Sequence, residues 1–153
     1  IERVNIYGNY ITEEKVIRNS LISDEGDPLN EILFDKSIAD LKARNIFKKV
    51  EKEILNSDQS NNRIINITVE EKPTGEIFAG IGAGTSGSTI TAGIKENNYL
   101  GKGIGLNANM SLSDKTIKGA FAVNNPNFRN SDRSLKTVIE SSTLDYMSTS
   151  GYK

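Results

Sequence analysis

The chain has 153 residues, of which 36% are hydrophobic and 25% charged, and its formal net charge is −1. This balance predicts no strongly basic face, so we expect no nucleic-acid partner. Cysteine and histidine are both absent, which excludes thiol catalysis, disulfides, Ser-His triads and metal centres built on those ligands. No apolar run approaches the roughly 20 residues of a membrane-spanning helix. The N-terminus has no signal-peptide apolar segment, so we expect a cytoplasmic chain, a processed chain or a piece of a longer one.

The composition changes near Pro73-Thr74-Gly75. Residues 1–73 contain 14 acidic and 11 basic side chains but only 2 glycines, whereas residues 74–153 contain 11 of the 13 glycines. The change predicts two structural classes, with one domain over residues 1–73 and a second region over residues 74–153.

The first region predicts the order β-α-α-β-β. A strand over Glu2–Gly8 precedes a helix that Thr12 caps, with Lys15, Arg18 and Asn19 on its solvent face. Asn30 caps a second helix, whose residues Phe34, Ile38 and Leu41 follow the core-facing period, and Asn45 ends it. Two further strands follow, over residues 47–55 and 63–71, and the second alternates strictly, with Ile65, Ile67 and Val69 inward. These elements predict a two-layer α+β domain.

The second region predicts about five antiparallel strands. In each of them, apolar side chains alternate with glycine or polar residues, over Ile77–Gly84, Ile90–Lys95, Gly103–Leu112, Ile117–Asn124 and Leu135–Glu140. The apolar faces have few bulky side chains, which suits the outer face of a transmembrane β-barrel better than a soluble sandwich. A soluble β-sandwich or solenoid is the alternative. Barrels begin at about eight strands, so we expect an incomplete, N-terminal portion of a barrel.

Motifs along the whole chain resemble those of a known family. The first region resembles a POTRA domain, and the second resembles the start of the barrel in outer-membrane protein assembly factors. The matching segments are Val4–Asn9, Thr12, Val16–Arg18, Glu25–Asp27, Phe47–Val50, the linking segment Val69–Gly75, Gly80–Gly82, Asn98–Gly103 and Asn125–Phe128. The resemblance implies an α+β POTRA domain followed by an antiparallel β-meander that belongs to an outer-membrane β-barrel.

The resemblance implies a protein that folds and inserts β-barrel proteins into the outer membrane, with its POTRA domain in the periplasm. The implied partners are nascent outer-membrane proteins, the accessory lipoproteins of the barrel-assembly machinery (BAM), outer-membrane lipids and periplasmic chaperones. The first barrel strand would form one side of a lateral gate and would pair with incoming strands, and the strand edges of the POTRA domain would bind nascent barrel segments in the same way. Its residues are Ile77, Phe78, Ala79, Gly80, Ile81, Gly82, Ala83 and Gly84. The glycines would admit another backbone, or would merely relieve crowding and permit curvature.

Two residues of the first region have a counterpart in the family. An arginine on the first helix and an acidic residue before the next glycine contact an accessory lipoprotein there, and Arg18 and Glu25 match them. The alternative is a solvated helix charge or a local ion pair. Five aromatic residues are candidates for an aromatic girdle or for the lumen, with ordinary packing as the alternative. They are Phe78, Tyr99, Phe121, Phe128 and Tyr146.

No motif predicts an enzyme or a cofactor. The segment Gly80–Gly84 lacks the spacing and the following helix of a dinucleotide-binding turn. Asp24–Asp27 is too short for an EF-hand loop. Two further functions stay open. One is a translocator of the same superfamily that passes polypeptide through its lumen, and the other is a soluble interaction scaffold with a β-rich tail.

Overall fold

A computed structural model describes residues 1–58, 61–84, 87–130 and 133–144. Residues 1–71 form three strands and two helices in the predicted β-α-α-β-β order. Strand β1 (Arg3–Tyr7) is followed by helices α1 (Glu14–Arg18) and α2 (Glu31–Ala43), and then by strands β2 (Phe47–Asn56) and β3 (Arg63–Glu71). The sheet order is β1-β3-β2, with β1 parallel and β2 antiparallel to β3. We call residues 1–72 the α+β region.

The core of the α+β region lies between α2 and the sheet. Phe34 and Leu41 on α2 are fully buried, as are Ile65 and Ile67 on β3. The predicted cap of α2 is confirmed, because the Asn30 side chain accepts a hydrogen bond of 3.2 Å from the amide of Leu33. The predicted stop at Asn45 is confirmed too, since its φ is 58°. Local periodicity was therefore sufficient to identify this core.

The first helix departs from the prediction. Helix α1 contains only five residues, and Glu13 rather than Thr12 occupies its N-cap position, without a side-chain cap. The prediction that Thr12 caps the helix is wrong because its side chain is buried and bonds elsewhere. The Thr12 hydroxyl accepts a 2.9 Å hydrogen bond from Asn98, 86 residues further along the chain.

The second region is one open sheet of five antiparallel strands. These are β4 (Gly75–Gly84), β5 (Gly87–Tyr99), β6 (Ile104–Ser113), β7 (Thr116–Asn125) and β8 (Leu135–Leu144). Each strand pairs with the next in the order β4-β5-β6-β7-β8. Within the described residues no second layer covers either face, so the soluble-sandwich alternative does not describe this sheet.

Candidate functional site

Strand β4 contains every residue predicted for the lateral gate. It pairs with β5 along its whole length, from Gly75 opposite Glu96 to Gly84 opposite Gly87. Its other side faces no strand in the described part of the chain. All ten residues of β4 are exposed. The strand therefore offers an unpaired row of backbone donors and acceptors, which is the requirement for β-augmentation.

Register places the apolar side chains of the sheet on one face. Ile77 lies opposite Ile94, Ile94 opposite Ala108, Ala108 opposite Phe121, and Phe121 opposite Ile139. The side chains of Ile77 and Ile81 are 88% and 89% exposed. We call this surface the apolar face. Its large side chains have no protein to cover them in the described structure.

The opposite face is polar and borders a groove of about 470 Å³. Lys95, Asn107, Asn109, Lys136 and Glu140 are among its lining residues. Two faces of opposite character on one sheet are the arrangement of a membrane barrel wall, in which one side meets lipid and the other lines the lumen.

Three of the five residues on the polar face of β4 are glycines. At Gly80, Gly82 and Gly84, an added Cβ would meet no atom within 4 Å, so crowding inside the described sheet does not explain these glycines. Phe78 shares that face, and its ring covers Gly93 on β5, where an added Cβ would lie 2.3 Å from the Phe78 Cζ atom. Phe78 thus packs across the strand pair on the polar face.

The other predicted aromatic positions lie in different environments. Phe121 belongs to the apolar face, and Tyr99 pairs with Ile104 at the end of β5 and β6 that is nearest the α+β region. The Phe128 ring lies 5.4 Å from the guanidinium carbon of Arg129. Tyr146 lies outside the described residues.

The structure brings Arg18 and Glu25 together around β1. The Arg18 guanidinium bonds Glu14 at 2.6 Å and donates to the carbonyl of Val4 at 2.9 Å. Glu25 accepts a 2.9 Å hydrogen bond from the Val4 amide and lies 3.7 Å from Arg18. The hydrogen bond to Glu14, which outweighs the effect of burial, raises the pKa of Arg18.

Arg18 does not lie on a solvent face as the helical pattern predicted. Its side chain is only 30% exposed, because it folds back over the outer edge of β1. Arg18 and Glu25 together occupy both backbone groups of Val4, so this part of the β1 edge is already hydrogen-bonded. A role in binding a lipoprotein stays a prediction for both residues.

The α+β region contacts the turn between β5 and β6 through buried polar groups, and we call this contact the junction. The Asn98 side chain donates to the Thr12 hydroxyl at 2.9 Å and accepts from the Gly103 amide at 2.7 Å. The Glu13 amide donates to the carbonyl of Gly101 at 2.8 Å. Asn98 was noted in the sequence only as the start of the family-matching segment Asn98–Gly103, and this contact was not predicted.

Glu71 holds the loop that carries Thr12. Its carboxylate accepts hydrogen bonds from the amides of Tyr10, Ile11 and Thr12 at 3.0, 2.9 and 2.6 Å. Burial alone would raise the pKa of Glu71, but hydrogen bonding from the Thr12 side chain and from these three amides together lowers it below its ordinary value. A charged carboxylate is therefore part of the support for the junction.

A second contact joins the turn between β7 and β8 to both helices. The Asn127 side chain accepts a hydrogen bond from the Arg44 guanidinium and donates to the carbonyl of Asn19 at 3.3 Å. Burial lowers the pKa of Arg44. Two separate turns of the sheet are thus attached to the α+β region.

The described residues contain no cluster of His, Cys, Asp or Glu side chains that could hold a metal ion. Among the helices of the described part of the chain, none has the length and hydropathy required to cross a membrane.

Comparison with known families addresses the α+β region first. Residues 1–72 match the POTRA family model, described as a surface antigen variable number repeat. Residues 1–72 therefore have the POTRA fold, and we call them the POTRA domain from here on. The POTRA prediction is therefore confirmed by both the family model and the strand order.

The resemblance extends beyond the POTRA domain. The chain is 30% identical over 116 residues to the outer membrane protein assembly factor BamA of Buchnera aphidicola subsp. Acyrthosiphon pisum, a match that covers 74% of this chain and 19% of BamA. The chain thus spans about a fifth of the length of this curated relative. The predicted resemblance to BamA is confirmed.

Solved structures share the fold. BamA from Haemophilus ducreyi lacking POTRA domains 1–3 superposes with a TM-score of 0.83 at 24% identity, covering 96% of this chain and 28% of that one. CdiB from Acinetobacter baumannii matches with a TM-score of 0.53 at 17% identity, covering 81% of this chain and 25% of that one. CdiB from Escherichia coli matches with a TM-score of 0.55 at 16% identity, covering 80% of this chain and 25% of that one. The predicted fold class, a POTRA domain followed by an antiparallel β-meander, is confirmed.

Proposed function

We propose that this protein is a component of the outer-membrane β-barrel assembly machinery, which folds and inserts β-barrel proteins. The proposal rests chiefly on the open strand β4, which begins only three residues, Lys72–Thr74, after β3, the last strand of the POTRA domain. The similarity to BamA supports it.

The exposure of the apolar face supports a membrane location. In water, a contiguous apolar surface of this kind favours aggregation or partner binding. In a bilayer the same face contacts acyl chains, and the polar groove on the other side lines an aqueous lumen. We therefore place the sheet in the outer membrane and the POTRA domain in the periplasm.

The strand order supports β4 as the proposed gate. Five strands do not close a barrel, and open edges are not tolerated in lipid. Further strands that continue the meander would pair beyond β8, so the barrel would close where its last strand meets β4. We propose that this seam opens to an incoming strand. An incoming strand would pair along Ile77–Gly84, and the bare surface at Gly80, Gly82 and Gly84 would let its backbone and side chains approach.

The POTRA domain would supply the partner contacts. Arg18 and Glu25 form one charged surface at the β1 edge, and we propose that an accessory lipoprotein of the machinery binds there. Nascent outer-membrane proteins, delivered by periplasmic chaperones, are the proposed substrates. The protein would act without catalytic chemistry, because strand pairing and local perturbation of the bilayer lower the insertion barrier.

Disulfide trapping tests the edge directly, since the chain contains no native cysteine. The membrane-embedded protein carrying Ile77→Cys is mixed with an unfolded barrel substrate that has one cysteine in its terminal strand. Ala108→Cys is the matched control, because it lies in the same row of the apolar face on a central strand. We expect trapping at Ile77→Cys only, since paired residues place their Cβ atoms about 5 Å apart.

Equal trapping at both positions would contradict pairing at the β4 edge. Release of the substrate into the vesicle interior, without insertion, would instead support the translocator alternative. Folding of the substrate is read from its heat-dependent mobility in gels.

A further inference from the structure

A small basic cleft lies between the POTRA domain and the sheet. It encloses about 130 Å³, and its polar lining comes from both sides: Lys15, Asn19, Lys102, Asn125, Asn127 and Arg129. Three of these side chains are cationic, and none of the lining residues is acidic. One of the three cations, Lys15, is paired with Glu13 at 2.6 Å, which leaves Lys102 and Arg129 as the main positive charges of the lining. The cleft therefore has the charge of an anion site.

The cleft begins where the apolar face ends. Leu106 and Val123 are paired on the apolar face, and Ile104 and Asn125 lie two residues further along the same strands. Alternation in a strand places residues two apart on the same face. Ile104 and Asn125 also line the cleft. A lipid whose acyl chains lie on the apolar face would thus have its headgroup level with the cleft.

The walls of the cleft are held in place by hydrogen bonds. Asn127 is fixed between Arg44 and the carbonyl of Asn19. On the other side, Asn98 binds the amide of Gly103, the residue after Lys102. The two turns that carry Lys102 and Arg129 are therefore anchored to the POTRA domain, which limits the backbone rearrangement that anion binding requires.

We propose that this cleft binds the phosphate group of an anionic membrane lipid, with Lys102 and Arg129 as its principal cationic contacts. The inference rests on the proposed membrane location of the sheet. Arginine and lysine are the usual phosphate-binding side chains, and basic pockets beside membrane-spanning segments bind lipid headgroups. The small volume fits one phosphate group and suits neither an acidic peptide nor a nucleic-acid strand. A bound lipid would link the POTRA domain to the membrane surface.

The test compares lipid retention by two double variants. Lys102→Gln with Arg129→Gln removes two cations from the cleft. Lys36→Gln with Lys42→Gln removes two exposed cations from α2 and changes the net charge by the same amount. Each protein is purified in detergent with an equal mixture of phosphatidylglycerol and phosphatidylcholine, and native mass spectrometry counts the lipids that remain bound.

We expect the unaltered protein and the α2 variant to retain phosphatidylglycerol, and the cleft variant to bind it at least about tenfold more weakly. Equal retention by both variants would overturn the proposal. Displacement of the lipid by millimolar inorganic phosphate would also overturn it, because it would identify a site for free phosphate.

Substrate insertion separates this proposal from the proposed function. If the unaltered protein inserts substrate but both variants retain lipid equally, only the lipid site is wrong. If the unaltered protein neither enters membranes nor inserts substrate, the proposed function fails as well.

Discussion

The POTRA domain and the five-stranded sheet bury their residues in different ways. The POTRA domain has one core of hydrophobic side chains, to which both helices and all three strands contribute. Among the described residues of the sheet, only Asn98, Gly101 and Gly103 are buried, and all three lie at the contact with the POTRA domain. The first region therefore supplies its own apolar environment, whereas the second depends on an environment that the described chain does not supply.

The largest expected difference between the two regions is in how they respond when one phenylalanine is replaced by alanine. Phe34→Ala removes a fully buried ring, so we expect a loss of about 3–5 kcal/mol in the free energy of unfolding of the POTRA domain. Phe121→Ala on the apolar face should change it by less than about 0.5 kcal/mol. Native-state hydrogen exchange at β3 amides measures both. Similar losses would mean that the two regions share one core.

Substitution of two glycines by alanine tests whether the turn between β5 and β6 is tightly packed against the POTRA domain. At Gly101, φ is 72° and an added Cβ would lie 2.1 Å from the carbonyl oxygen of Ile11. We expect Gly101→Ala to weaken the junction by about 2–3 kcal/mol, seen as faster hydrogen exchange at Glu13 and Gly103. Gly82→Ala is the matched control, because an added Cβ there meets nothing within 4 Å. A junction that tolerates Gly101→Ala would not be rigidly docked.

The Glu71 carboxylate gives the junction a pH dependence. Its folded pKa is lowered, so its contribution to stability is complete above the unfolded value, about 4.3, and is lost as the pH falls through the folded value. Glu71→Gln should cost about 1–2 kcal/mol at neutral pH and flatten the acid limb of the stability curve. Urea unfolding measures the free energy of unfolding of both proteins at a series of pH values from about 3 to about 7, which spans the titration of a carboxylate. An unchanged acid limb would assign the pH dependence to other carboxylates.

The smallest expected effect on stability concerns Arg18. Arg18→Gln removes the hydrogen bond to Val4 and should cost about 0.5–1 kcal/mol, because the pair with Glu14 is partly exposed. If Arg18 also binds an accessory lipoprotein, the same variant should lower that affinity by at least about tenfold. Lys42→Gln is the control. A stability loss with unchanged affinity would limit Arg18 to covering the β1 edge.

Local patterns were sufficient for most of the fold. The periodicity of Phe34, Ile38 and Leu41 and the alternation of Ile65, Ile67 and Val69 predicted the core, and alternation also predicted the five strands. The contacts that join the two regions were not predictable in this way. Thr12 and Asn98 are 86 residues apart, and each has an ordinary local explanation, as a cap or as a turn residue. Arg18 was misplaced because helical spacing does not account for a long side chain that folds back onto a strand edge.

Separate expression of residues 1–73 and 74–153 tests whether the POTRA domain folds alone in water while the sheet needs a lipid environment. We predict that residues 1–73 unfold in a single cooperative transition in buffer, and that residues 74–153 form stable strands only in detergent or with further strands. A monomeric 74–153 fragment that unfolds cooperatively in buffer would contradict the account, because a sheet that needs lipid on its apolar face cannot be stable alone in water.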